Sequence, residues 1–371
     1  MDKIESIASC SNIYEETRQY IRRHCYIESD EFVDVLALYV FLNRCWDLFD
    51  TLPYIWLRGN PSCGKTVLLE VLASLIPVSQ KVSEITTAAL RRILEESHPC
   101  LIIDEAEYLN NADMRRILRA GYRRGGVYVK AGKDETTVRY DCYSPKIIAD
   151  NIGPKEQGLG TRCIVYSMEK SPEVLLRFVP SKTQESDFLS DGISEFVLSK
   201  RPAISELLNK LTSTNLSQGS SRFDDLWLPL FILAYVIDAS FEGSFVSPRV
   251  KSFAKNYVEK AEARNRLANM AAMFAFYLTE YFKKATAKDE YYRLDELYED
   301  IKQQGYDFSR WSFSRVRRYM TELDIVSDSW RMRVYDGVGS KRKVQRMCVR
   351  FDKNKIIQLA SQAAEPEAKD A

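Results

Sequence analysis

Apolar residues recur at helical spacing through Asp30–Phe49, at Phe32, Val33, Leu36, Tyr39, Val40, Cys45 and Leu48, so residues 1–50 read as a helical segment. Past Pro53 the period changes. Tyr54–Leu57 is a short continuous apolar run bounded by a proline and a glycine-bearing loop, which predicts a buried strand. Val67–Ile76 returns to helical spacing and stops at Pro77, a residue that cannot continue a helix. Thr86–Glu96 predicts the next helix, with Thr86 or Thr87 as its N-cap. Cys100–Ile103 is a second apolar run, this one ending in acids, and Ala112–Tyr122 reads as a basic helix. Val127–Val129 and Thr137–Tyr140 flank a turn containing Gly132, a hairpin pattern, and Lys146–Ala149 and Cys163–Tyr166 are two further strands. Strands alternating with helices between about 50 and 170 predict a parallel α/β sheet.

After Lys170 the pattern loosens. Residues 179–221 are rich in Ser, Thr, Asp and Gln and read as a loose helical connector or linker. Residues 223–284 are helical and strongly apolar, and residues 290–360 run helix, turn, helix, charged hairpin. The expected division is therefore a helical segment at 1–50, an α/β core at 51–170, a linker and helical region at 171–285, a small C-terminal domain at 286–360 and a disordered tail at 361–371. No internal repeat is visible.

Composition removes several function classes. With 45% apolar and 28% charged residues over 371 positions, the chain is neither globally disordered nor fibrous. The longest apolar run, Leu226–Ile237, contains Pro229 and falls short of the roughly 18 residues of a membrane span, so no membrane association is expected. The first ten residues mix charges and do not read as a signal peptide. Eight scattered cysteines without CxxC spacing and only two histidines argue against a zinc site or a disulfide framework, and a reducing cytoplasm fits this usage. The formal charge is +1, but it is unevenly spread: Arg310–Arg350 holds eleven Lys/Arg against four Asp/Glu. A basic C-terminal segment on an otherwise acidic body points to a polyanionic partner.

The strongest chemical signal lies between the first strand and the helix after it. Gly59-Asn60-Pro61-Ser62-Cys63-Gly64-Lys65-Thr66 has the spacing GxxxxGK[ST]. The glycines let the backbone wrap so that successive N–H groups face phosphate oxygens, and the following helix adds its positive end. Lys65 is then placed for the β- and γ-phosphates of ATP, and Thr66 offers its hydroxyl to Mg²⁺. Leu101-Ile102-Ile103-Asp104-Glu105 is an apolar strand that delivers two carboxylates at its C-terminal end, 39 residues after Lys65. That end of an open α/β sheet is where ligands bind. Asp104 is the expected Mg²⁺ carboxylate and Glu105 the group that orients and polarises the attacking water. At the end of the next strand, Asn151 is the first choice for a residue that reaches the γ-phosphate or the water, and Asp150 the second; an Asx turn before Gly153 is the competing reading. Arg162, just before the last strand, is a candidate arginine aimed at a neighbouring subunit's γ-phosphate, worth on the order of 10³–10⁵ in rate. Arg222 is a weaker candidate for a second, lid-borne arginine.

These motifs have a family likeness. Pro53–Met168 resembles the AAA+-type ATPase domain of mobile-element and phage replication proteins, long catalogued as a domain of unknown function and grouped with primase-helicases and superfamily-three or minichromosome-maintenance-like helicases. The resemblance is carried by PYIWLRGNPSCGKTVLLEVLA, by LIIDEAE followed by DMRRILRAGYRRGG, and by YSPKIIADNIG and GLGTRCIVYSM. SRFDDLWLPLFILAYVID resembles that family's helical region after the core, and the C-terminal region looks like a winged helix. The resemblance covers most of residues 30–350 and implies an ATP-driven ring motor acting on DNA. Two departures stand out. Many relatives carry a primase or other large N-terminal domain, whereas about 50 residues precede the core here, so priming is not expected. The family's text after the fourth strand is also more apolar than Asp150-Asn151.

In ring helicases of the resembling kind a hairpin between the acid pair and the fourth strand points into the central pore. Here that hairpin carries Lys130 and Lys133 for the phosphates of a threaded single strand and Tyr128 for stacking on a base. Val127-Tyr128-Val129 is also similar to the aromatic pore loops of protein unfoldases, although the basic tip suits nucleic acid better. In the C-terminal segment Ser312 caps an expected helix with Phe313, Val316 and Met320 inward and Arg315, Arg317 and Arg318 outward. Val334–Arg350 reads as a two-stranded wing with Lys341, Arg342 and Lys343 beside its turn.

The expectation is thus an α/β AAA+ P-loop ATPase with a helical flanking region and a C-terminal winged helix, using ATP and Mg²⁺ as an oligomeric DNA helicase or translocase. A trans-acting arginine implies a homo-oligomer, most simply a hexamer, with single-stranded DNA in the pore and duplex at the winged helix. The alternatives are an origin-binding initiator or helicase loader, and a nucleotide-switched regulatory or defence ATPase that remodels proteins.

Overall fold

The computed structural model describes residues 12–106, 111–131, 137–154, 156–172, 175–180, 184–212, 221–242, 245–284, 291–303, 312–335 and 343–361. Two compact units divide the chain, residues 1–256 and 257–371. In the first, α1 (Ile13–His24) and α2 (Asp30–Leu42) precede a five-stranded parallel sheet. Asn12 and Ser29 cap the two helices, each accepting a backbone N–H three residues on. Every residue of α2 from Phe32 to Leu42 is buried, as expected of a helix apolar on all sides. The one charge on this buried stretch, Asp34, is neutralised by Arg18 at 2.7 Å and Arg249 at 2.6 Å and accepts from Tyr14 at 2.7 Å. A charge this deep is tolerated because it is paired.

The sheet is built from β1 (Tyr54–Arg58), β2 (Ser79–Val82), β3 (Cys100–Ile103), β6 (Lys146–Asp150) and β7 (Cys163–Ser167), in the spatial order β2-β3-β6-β1-β7. The helices α3 (Lys65–Leu75), α4 (Thr87–Ser97), α5 (Ala112–Ala120) and the short α6 (Gln157–Gly160) alternate with the strands. β4 (Val127–Ala131) and β5 (Thr137–Asp141) form a separate antiparallel hairpin. The parallel α/β sheet expected from alternation is present. β2 has no counterpart among the expected strands: Ser79–Val82 is a half-exposed edge strand, so it carries no apolar run. The helix expected over Asp30–Phe49 stops at Leu42 and gives way to a 3₁₀ turn at Trp46–Leu48.

The polar stretch read as a loose connector contains α7 (Gln184–Thr212), one continuous helix with Pro202 inside it. Its Ser-rich composition conceals a buried stripe, Leu189, Ile193, Val197 and Ile204, at helical spacing. α8 (Ser221–Ser240) packs on α2 and α7, and α9 runs from Val246 to Lys284. Among the described residues no helix is long and apolar enough to cross a membrane.

In the second unit the last turns of α9 share one core with β8 (Tyr292–Arg293), α10 (Leu294–Gln303), α11 (Phe313–Glu322), β9 (Val326–Tyr335), β10 (Lys343–Phe351) and α12 (Lys353–Ser361). Phe274, Leu278, Leu297, Ile301, Met320 and Ile356 are all buried there. The strands form an antiparallel sheet in the order β8-β10-β9.

Candidate functional site

The phosphate-loop sequence joins β1 to α3 and takes the shape its glycines permit. A Cβ on Gly59 would lie 2.5 Å from the Met168 carbonyl oxygen and 2.9 Å from Cys63 Sγ, so only glycine fits against β7. Gly64 has φ 91°, the left-handed conformation glycine adopts without cost, and it ends the loop where α3 begins. Ser62 shares the left-handed region at φ 65° without that freedom. No side chain caps α3, so its first N–H groups and its positive dipole end face the loop. Lys65 Nζ donates to the carbonyls of Gly59 at 2.6 Å and Asn60 at 3.1 Å.

Strand order brings the distant parts together. β6 lies between β1 and β3, so Asn151, at the end of β6, stands between the phosphate loop and the acid pair. Pro61, Ser62, Gly64–Val67, Asp104, Glu105, Asp150 and Asn151 line one cavity of about 710 Å³ at the C-terminal edge of the sheet. Asp104 is 6% exposed and accepts from the Glu105 backbone N–H at 3.1 Å, whereas the Glu105 side chain stands in the open cavity. Glu105 itself has φ 56°, a left-handed conformation that costs a non-glycine residue energy.

Asn151 and Asp150 have separate tasks. Asn151 Oδ1 accepts from Lys65 Nζ at 3.1 Å. Asp150 is buried, and its Oδ1 accepts from the Trp56 indole N–H at 3.0 Å and from the backbone N–H groups of Ile152 and Gly153 at 3.2 and 2.6 Å. The Asx turn anticipated as a competing reading is thus the role of Asp150.

The arginines lie elsewhere. Arg162 precedes β7, and Tyr54 N donates to its carbonyl at the start of β1, so both mark the N-terminal edge of the sheet. The cavity is one strand length away, about 16 Å for five residues. The Arg162 guanidinium donates to the Gly158 carbonyl and lies 5.7 Å from the centre of the Tyr122 ring, and its Nε is buried without a partner. Burial, and then the nearby Arg222, lower its pKa. Arg222 is exposed and donates to Thr161 Oγ1 at 3.2 Å. Arg222, expected as a lid-borne, ATP-binding arginine, stands beside Arg162 and away from the cavity, because α8 starts beside the Gly158–Thr161 turn.

Tyr128 pairs with Tyr140, and Arg91 of α4 lies over both rings, at 5.6 and 4.8 Å from their centres. Tyr128 is half-buried, and Arg91 ties it to its own chain. The opposite face presents Val127 and Val129, 43% and 49% exposed, with Arg139. Lys130 is exposed near the tip; Lys133 lies outside the described residues. In the second unit Ser312 accepts from Arg315 N at 3.4 Å, and Arg315, Arg317 and Arg318 are exposed on α11. Val316 and Met320 face inward as expected, joined by Tyr319, while Phe313 stays 38% exposed against Tyr298. Lys343 opens β10; Lys341 and Arg342 lie outside the described residues. Arg346 pairs with Asp295 at 3.2 Å.

Lys81, which the polar text of β2 does not single out, sits beside Asp104. Among the described residues no cluster of three or more His, Cys, Asp and Glu side chains is placed to hold a metal ion. Two hydroxyls, Ser62 and Thr66, and three carboxylates, Asp104, Glu105 and Asp150, line the cavity, and Thr66 and Asp104 are the pair expected to hold a cation. Hard oxygen donors suit Mg²⁺, which is usually held by one or two carboxylates together with substrate phosphates and water.

No family model and no curated protein matches the chain. Among solved structures it is similar to one described as an active helicase, SCCmec type IV Cch, at 10% identity over 88% of this chain and with a TM-score of 0.39. The chain spans 57% of that helicase's length.

Proposed function

We propose that the chain is an AAA+ P-loop ATPase that works as an oligomeric DNA helicase or translocase in the replication of a mobile element or phage. The observation that carries this reading is the convergence of Lys65, Thr66, Asp104, Glu105 and Asn151 in one cavity at the C-terminal edge of a parallel sheet. The loop N–H groups and the α3 end bind the ATP phosphates, and Lys65 follows the γ-phosphate. Thr66 and Asp104 would hold Mg²⁺, which would supply charge neutralisation to the bound phosphates. Glu105 orients the attacking water and takes its proton. Asn151 holds Lys65 and marks whether the γ-phosphate is present.

Arg162 and Arg222 stand a strand length from their own cavity, which favours action on a neighbouring subunit's nucleotide, most simply within a hexameric ring. The exposed hairpin end with Lys130 and Arg139 is the proposed contact for a threaded single strand. In the second unit, α10, α11 and the β9–β10 hairpin act in this reading as a winged helix on duplex DNA, with Arg315, Arg317 and Arg318 facing phosphate or base edges. The test is displacement of a fluorescent strand from a forked duplex, measured with ATP turnover in the presence and absence of DNA. Turnover indifferent to DNA, with no displacement, defeats the reading. The exposed Val127 and Val129 favour one rival, a protein-remodelling ATPase, which predicts that indifference.

A further inference from the structure

Lys81 projects from the edge strand β2 between two carboxylates. Its Nζ lies 3.0 Å from Glu70 Oε1 and 4.0 Å from Asp104 Oδ2. Asp104 lines the cavity, and so does Thr66. Glu70 follows Thr66 by four residues on α3, so hydroxyl and carboxylate share one helix face. The two oxygen donors assigned to Mg²⁺ therefore have charged neighbours of opposite sign: Lys81 beside Asp104, and Glu70 along the helix from Thr66. The Lys81 and Glu70 side chains are 29% and 34% exposed, so water screens them only in part.

We infer that Lys81 and Glu70 are a compensating pair that sets the demand of the site for a divalent cation, an inference that rests on reading the cavity as a Mg·ATP site. Lys81 is a positioning residue: its ammonium competes for the negative charge of Asp104 and weakens the hold on a second cation. Glu70 draws Lys81 away, and the shorter of the two contacts is the one to Glu70. Removing either member unbalances the site, in opposite directions. A partly screened unit charge at this distance changes an ion-binding constant on the order of tenfold.

The experiment follows a fluorescent ATP analogue bound at increasing Mg²⁺, and Mn²⁺ in its place read by electron paramagnetic resonance, so that neither readout needs turnover. Lys81→Met is expected to lower the half-saturating cation concentration about tenfold. Glu70→Gln, which leaves Lys81 to Asp104 alone, is expected to raise it about tenfold. The charge-neutral double variant is expected to return to within about threefold of the parent. An ion pair that served folding alone would leave the cation demand unmoved or shift both single variants in the same direction, and either result overturns the inference. A parent protein that binds the analogue without any need for the cation, or not at all, overturns the reading of the site itself, and the pair's role with it.

Discussion

Lys65 Nζ lies 3.1 Å from Asn151 Oδ1, so the residue that closes the phosphate loop touches the residue just past the neighbouring strand. The contact exists because β6 is inserted between β1 and β3, with Ile55 beside Ile147 and Ile102 on its other side. Residues 86 positions apart in the chain thereby become two walls of one cavity. In the proposed function, nucleotide state is sensed by which partner Lys65 keeps.

Asn151→Ala is expected to lower ATP turnover about 100-fold while nucleotide affinity stays within about threefold, because only the charge developing at the γ-phosphate feels the loss. Asp150→Ala is expected to behave differently. It leaves the Trp56 indole and two backbone N–H groups without their acceptor, at a cost of about 2 kcal/mol or more in stability by urea denaturation. If Asp150→Ala folds normally and loses turnover selectively, the two roles are exchanged.

The opposite sheet edge makes a second prediction. Arg162→Ala and Glu105→Gln are each expected to bind ATP and to turn it over poorly. Mixed, they are expected to recover part of the activity, since some hybrid interfaces pair an intact Glu105 with an intact Arg162. Turnover measured across mixing ratios decides this: a flat line means that the site is not shared between subunits.

Much of this site is legible in the sequence, because phosphate binding requires glycines at fixed spacing and a parallel strand must be apolar to be buried on both faces. Gly59–Thr66 and Cys100–Glu105 are therefore visible before any coordinates. Residues placed by long-range pairing are not. Lys81 lies on a half-exposed edge strand with no apolar signature, and Arg222 reaches Arg162 only because α8 begins beside the Gly158–Thr161 turn. α7 is hidden for a third reason: its buried stripe is thin, and serines such as Ser186 and Ser190 share the inward face.

A buried lysine supplies a pH signature. Lys146 is fully enclosed, and its amine meets the carbonyls of Cys142 at 3.0 Å and Ser144 at 2.9 Å and the Ser144 hydroxyl at 3.2 Å. The amine donates to all three of these oxygens, and none of the three is a carboxylate that would offset the burial of its charge. Burial pushes its pKa down to about 7. Between that value and the ordinary lysine value of about 10.4 the unfolded chain holds a proton that the folded chain has released, so stability rises with pH, by up to about 1.4 kcal/mol per unit. Lys146→Met lacks this slope. Its deficit against the parent in urea denaturation is expected to widen from pH 7 to pH 9, and parallel profiles would show that Lys146 stays charged.

DNA binding is expected to divide into two separable terms. Arg315, Arg317 and Arg318 stand exposed on α11, whose inner face is fixed by Val316, Tyr319 and Met320, so replacing all three by alanine removes charge without disturbing the core. Truncation is a poorer probe: a cut near Tyr281 would strip Phe274, Tyr277 and Leu278 of their partners in α10 and α11. For the triple variant, duplex affinity is expected to fall and the salt dependence to flatten, by roughly 0.9 in the log–log slope for each phosphate that is no longer neutralised. Lys130→Ala is expected to leave the duplex slope alone and instead reduce strand displacement per ATP consumed. The reason lies in the connection of the hairpin. Arg91 joins Tyr128 and Tyr140 to α4, the helix that precedes the acid-bearing strand β3, which is the route by which the hairpin is expected to couple to Asp104 and Glu105. Duplex titrations over a salt series, with displacement and turnover recorded together, separate the terms. A Lys130→Ala protein that displaces strands as efficiently as the parent removes the hairpin from the motor.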